Sequence, residues 1–212
     1  MCIRDRFSGG VEWNIGIIGH TPYTCESLYA AKVTGKNGEE VLRFYEYERV
    51  RGVYYQMDFM LDEDKLIARM CIYNPSGKTV PMYWWSNIAT PEFEGGRVIV
   101  PADSAYNNSD GTGIAKSSIP FDRGVDVSYP ERIPNTIDYF YDIPDENKKF
   151  IANVDKNGKG LLQYSTKRLK GRKLFSWGHI QGSKHWQEFL TDKAGDYVEI
   201  QAGLGKTQYE CI

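Results

Sequence analysis

Residues 53–73 read VYYQMDFMLDEDKLIARMCIY. Val53, Tyr55, Met57, Phe59 and Leu61 alternate with Tyr54, Gln56, Asp58 and Met60, a period of two that belongs to a strand with two distinct faces. After Asp62-Glu63-Asp64 the pattern resumes, with Leu66, Ala68, Met70 and Ile72 set against Ile67, Arg69, Cys71 and Tyr73. Two such runs across a short acidic turn predict an antiparallel hairpin. Asn74-Pro75-Ser76-Gly77 then turns the chain into another strand over 80–89.

The same alternation recurs on both sides of the hairpin. Val11, Trp13, Ile15 and Ile17 form one series, and 41–50 forms another. Further strands are expected over 97–101, 138–143, 150–154, 161–165, 173–177 and 196–201, with Asn157-Gly158 as a hairpin turn. Helical periodicity is confined to 27–33 and 184–190, each with room for a turn or two. The stretch 104–134 is polar, rich in Gly, Ser and Asp, and reads as one long loop. The fold class that follows is all-β: a large antiparallel β-sandwich, because ten or so strands split into two packed sheets more readily than they close a small barrel.

Composition narrows the partners. Of 212 residues, 26 are Lys or Arg and 28 are Asp or Glu, a net charge of −2 that offers no field for nucleic acid or an anionic membrane. No apolar run reaches the ~18 residues of a membrane-spanning helix. Cys2, Cys25, Cys71 and Cys211 are scattered and form no CxxC, so neither a disulfide framework nor a zinc site is expected. The excess is aromatic: 15 Tyr, 9 Phe and 5 Trp make 14% of the chain, and that excess supplies candidate binding surfaces.

At the ends, MCIRDR (1–6) resembles the translation of a transposon end used in sequencing and is read as an artefact; residues 7–212 are read as one partial sandwich domain. Residues 207–212 look like a strand just starting. The chain is therefore expected to be a fragment of a longer protein, with the cytoplasm as the favoured compartment.

Short motifs are weak. GLGKT (203–207) lacks the earlier glycine and the following helix of a phosphate loop, and reads as a turn. His20, His179 and His185 fix no set of three or four metal ligands, so no metal or cofactor is expected. Asn107-Asn108-Ser109 matches a glycosylation sequon by its three letters alone.

What stands out is a set of indoles beside amides and carboxylates: Glu12, Trp13, Asn14 and His20; Trp84, Trp85 and Asn87; Trp177, His179 and Glu188; Glu199 and Gln201. Pyranose rings offer apolar faces to indoles and hydroxyl rims to amides and carboxylates, so these residues are the candidate substrate-binding set. Adjacent Trp84 and Trp85 point to opposite faces of a strand, so only one of them lines a site. Glu199 shares a strand face with Tyr197 and Gln201 and is the candidate acid–base residue, with Glu188 as its partner.

FSGGVEWNIGIIGH, YWWSNIA followed by RVIVPAD, RLKGRKLFSWG, HWQEFL and DYVEIQAGLGKTQYE closely resemble, in order, the bacterial family called domain of unknown function 5107. The resemblance implies a galactose-mutarotase-like β-supersandwich, here incomplete at both ends, often followed by tetratricopeptide repeats. Mutarotase-like epimerases place a catalytic His where Trp84 and Trp85 stand here, which argues against simple epimerisation. YVEIQAG is similar to the strand that carries their Glu, which favours Glu199. The expectation is a carbohydrate-binding domain of a glycan-processing protein, with any activity directed at a sugar (hydrolase, phosphorylase or epimerase-like). The alternative is a structural sandwich that docks attached repeats or a partner chain.

Overall fold

The computed structural model describes residues 10–24, 26–108, 113–191 and 194–210. The artefact read at 1–6, the Phe7–Gly9 part of the first block, Cys2, Cys25, Cys211 and Ser109 of the sequon lie outside them. In chain order come β1 (Val11–Ile15), β2 (Tyr29–Thr34), β3 (Glu40–Glu48), β4 (Val53–Asp62), β5 (Lys65–Tyr73), β6 (Trp84–Pro91), β7 (Arg97–Ile99), β8 (Ser104–Asn107) and β9 (Ala115–Ser118). They are followed by β10 (Phe121–Asp122), β11 (Val125–Asp126), β12 (Ile137–Tyr141), β13 (Lys149–Val154), β14 (Gly160–Ser165), β15 (Gly171–Ser176), α1 (Gln181–Thr191) and β16 (Tyr197–Gly203). The class is all-β, as the alternation requires.

The chain divides into two compact units. In the unit Ile15–Met82, β2-β3-β4-β5 form a four-stranded antiparallel sheet. The hairpin pairs Asp62 with Lys65 and Tyr54 with Tyr73. Buried Glu48 accepts hydrogen bonds from the N–H of Val50 at 2.8 Å and of Arg51 at 2.6 Å, which closes the turn between β3 and β4. Residues 27–33, a candidate for a helical turn, run instead into β2, whose pairing with β3 outweighs a weak local preference.

The other unit, Met1–Asn14 with Tyr83–Ile212, holds a seven-stranded sheet in the order β1-β6-β16-β15-β12-β8-β9, antiparallel from β6 to β9, and a three-stranded sheet β14-β13-β7. Their facing sides share one core: Val98 and Ile151 from the small sheet, Ile137, Tyr139, Tyr141, Leu174, Val198 and Ile200 from the large one. This is a sandwich, and alternation assigns every odd-numbered residue of β16 to the side away from that core. Arg172, fully buried, donates to the carbonyls of Leu169, Gly171 and Lys149 and to Ser165 Oγ at 2.6–3.2 Å.

Two expectations are corrected here. The long loop expected over 104–134 contains β8 to β11 and a 3-10 turn at Pro130–Arg132, and β8 and β9 extend the large sheet. Strands as short and polar as SAYN and AKSS, at one end of the sheet, lack the apolar alternation that marks central ones. The strand expected from 207 onward is a bend and turn through Thr207–Tyr209. Residues 203–207 do leave β16 as a bend. Asn107 of the sequon is buried, with its amide on Ser117 Oγ at 2.7 Å.

Candidate functional site

The side of the large sheet away from the core is built in rows. Register aligns Asn87 of β6 with Gln201 of β16, Gln201 with Lys173 of β15, and Lys173 with Phe140 of β12. The next row is Ala89, Glu199, Phe175 and Asp138. Beyond it Pro91 pairs with Tyr197, and Trp177 lies against Phe175 and Tyr197 at ring-centroid distances of 4.8 and 6.2 Å. On the opposite flank Trp85 pairs with Gly203, and Gly203 with Gly171.

A polar chain crosses these rows. Asn87 Nδ2 donates to Glu199 Oε2 at 2.8 Å, and Gln201 Nε2 donates to the same oxygen at 3.1 Å. Gln208, from the bend after β16, donates to Gln201 Oε1 at 2.7 Å. Lys173 Nζ donates to Gln208 Oε1 at 2.7 Å and pairs with Asp138 Oδ1 at 2.8 Å, lying 5.3 Å from the centre of the Phe140 ring. Asn87 Oδ1 and Trp177 Nε1 are buried with no hydrogen-bond partner among the described residues. Amides, an ammonium and two carboxylates thus converge beside Phe175, Tyr197 and Trp177. Gln201 and Lys173 are buried and engaged within the row, so hydroxyls would be met by the half-buried Asn87, Glu199 and Asp138, with the half-buried rings of Phe175, Tyr197 and Trp177 offering an apolar face.

The predicted residues separate into groups. Asn87, Glu199, Gln201 and Trp177 come together on this side. Trp13 packs against Trp84 with centroids 5.9 Å apart, on the core-facing side that Trp84 shares with Ser86. Neither indole reaches the Glu199 row, and the stacking role expected of Trp13 does not fit this position. Alternation along β1 then turns Glu12 and Asn14 toward the Glu199 side. Trp85 is on that side but 1% exposed, packed edge-on to Phe140 at 6.2 Å. Gly171 and Gly203 lie so close to its indole that a Cβ on either would collide with it, so Trp85 is core. Glu188 is exposed on α1 and is no member of the hydrogen-bonded chain. His20 is exposed in the other unit.

His179 pairs with Glu92 Oε1 at 2.9 Å. Glu92 is 5% exposed at its side chain, and burial raises its pKa while His179 draws it back. Asp142, bound at 2.8 and 2.9 Å by Lys116 and Lys206, is held below the ordinary aspartate range by both ammonium groups. Glu92, Asp138, Lys173, Phe175 and Gln208 were missed from sequence. The alternation of Lys173, Phe175 and Trp177 was the available signal, but the basic run RLKGRK disguised Lys173 as a solvated charge. Among the described residues no cluster of His, Cys, Asp and Glu could hold a metal ion.

The family described as domain of unknown function DUF5107 matches residues 1–210. Among solved structures, a TPR-domain containing protein from Parabacteroides distasonis is similar, with a TM-score of 0.79 and 23% identity. The match covers 98% of this chain and 35% of that one, so this chain spans about a third of the neighbour's length. At that identity the likeness is one of fold.

Proposed function

This chain belongs to the DUF5107 family, and from that premise we propose that it is a carbohydrate-recognising domain of a larger glycan-processing protein. One observation carries the reading: the hydrogen-bonded row Asn87–Glu199–Gln201–Gln208–Lys173–Asp138, bordered by Phe175, Tyr197 and Trp177. Rings and hydroxyl-binding groups lie side by side on rigid strands, where a pyranose needs them both. Glu199, with two amides fixing one carboxylate oxygen, is the group placed to accept or return a proton.

The test is titration of the whole chain with mono- and oligosaccharides, read by tryptophan fluorescence and then by a glycan array. Asn87→Ala and Gln201→Ala are each expected to weaken binding about tenfold, the cost of one lost charge-assisted hydrogen bond. Glu199→Gln is expected to keep binding and abolish any turnover. Undiminished turnover in that variant removes Glu199 from the chemistry, and the absence of any sugar response in the parent chain removes the reading.

The second reading, a docking module for attached tetratricopeptide repeats, has its own support. Helix α1 buries Ser183 and Gln187 and exposes Trp186 by 53% and Phe189 by 66%, the reverse of a surface helix serving only its own core. The solved neighbour is a TPR-domain containing protein. Trp186→Ala would then weaken association with the repeats and leave sugar titrations unchanged.

A further inference from the structure

The four-stranded sheet of the unit Ile15–Met82 carries a cleft of its own. Its volume is about 410 Å³, and Tyr45, Tyr54, Tyr73, Arg43, Gln56 and Cys71 line it. That size falls within the ~300–1,000 Å³ of small-molecule clefts. Register explains its construction. Tyr47, Tyr54 and Tyr73 form one row across β3, β4 and β5, and Tyr29, Tyr45, Gln56 and Cys71 form the next across β2 to β5. Arg43 and Asp58 lie opposite one another in the row after that.

The tyrosines stand out of the sheet: Tyr29, Tyr45, Tyr54 and Tyr73 are 63, 42, 53 and 64% exposed. A sheet face turned to solvent ordinarily alternates into polar and charged side chains, not a tyrosine on every strand. The charges of the lining balance: Arg43 and Glu46 are its one cation and its one carboxylate among the described residues, and Arg43 is turned to Asp58 beside the cleft. Arg43 Nε and Nη2 donate to the two Asp58 oxygens at 2.7 and 2.9 Å, and Gln56 Nε2 donates to Asp58 Oδ2 at 3.2 Å. With the guanidinium in the cleft committed to Asp58, the lining matches an uncharged ligand rather than phosphate or a carboxylate. Tyr45, stacked on Tyr29 at 5.5 Å, presents its rim with the rings of Tyr54 and Tyr73 beside the Gln56 carboxamide, and these suit alternating apolar faces and hydroxyl rims.

We infer that this cleft is a second saccharide site, one that takes a neutral oligosaccharide along the tyrosine rows. It belongs to a different unit from the Glu199 row and shares no residue with it, so the two can fail separately. The test is affinity electrophoresis of the whole chain through gels containing soluble xylan, β-glucan or galactan. Retardation is expected on at least one of them. Tyr54→Ala with Tyr73→Ala is expected to weaken it about tenfold or more, the loss of two stacking rings, while Tyr54→Phe with Tyr73→Phe retains it. Loss of retardation in Asn87→Ala with full retention in the double alanine variant would assign the binding to the Glu199 row and overturn the inference.

Both tyrosines are exposed, and circular dichroism would verify that the alanine variant folds. Should it not, Tyr73→Ala alone, on edge strand β5, gives the same readout. Equal retardation of parent and alanine variants overturns the inference, as does free migration on all three polysaccharides. A polyproline peptide that displaces the glycan or binds in its place would assign the tyrosines to peptide capture and overturn it too.

Discussion

Single residues on the large sheet are held by constraints that leave little room. Trp85 lies over Gly203 and Gly171 because only a missing Cβ lets an indole lie flat on two neighbouring strands. Gly203→Ala is expected to destabilise the chain by roughly 1–3 kcal/mol or more, the range of overpacked cores, and a denaturant midpoint would register it. An unchanged midpoint would mean that the indole has somewhere else to go. Arg172 is the other fixed point. Burial lowers its pKa to about 10, so it stays charged at neutral pH, bound to three carbonyls and one hydroxyl. Arg172→Met would strand those acceptors at ~1–3 kcal/mol each, and a loss of about 3 kcal/mol or more is expected in the same measurement.

At the scale of elements, adjacent strands are stitched by charge as well as by backbone pairing. The bidentate Arg43–Asp58 contact joins β3 to β4, and the Arg43 guanidinium holds the Asp58 carboxyl below its ordinary value of 3.8. A carboxylate with a depressed folded-state pKa adds stability that is present above its unfolded value and is lost as pH falls through the folded one. Asp58→Asn should therefore lower stability at neutral pH and flatten the decline below about pH 4, measured as unfolding free energy against pH. Arg43 is a third exposed, so solvent screening keeps the effect small. A variant with the same acid limb as the parent would show that Asp58 is not one of the titrating groups. Element types were largely legible in advance. The 53–73 hairpin, the helix around 184–190 and the central strands all carry a period that is local to the chain. β8 and β9 carry none, because their burial comes from β12 and from one another rather than from an apolar stripe of their own.

At the scale of the molecule, protection should follow burial. β12, β15 and β16 are enclosed by neighbouring strands and share the sandwich core, whereas β2 and β5 are edge strands exposed along most of their length. Amide exchange followed by mass spectrometry is expected to leave β12, β15 and β16 protected long after β2 and β5 have exchanged. Uniform exchange would indicate that the chain opens as one cooperative block. The sequence by itself determined the central strands, the β-class and the opposite facing of Trp84 and Trp85, since side-chain alternation is a property of consecutive residues; β2 and β8 to β11 lay outside its reach. It placed Glu199 and Gln201 on one face for the same reason. Only the tertiary structure decided that Asn87, 112 residues away from Glu199, bonds to it, and that Lys173, Asp138 and Gln208 complete the row. Strand order β6-β16-β15-β12 does not follow chain order, and partners in a sheet are chosen by long-range pairing and core burial, which no local pattern encodes.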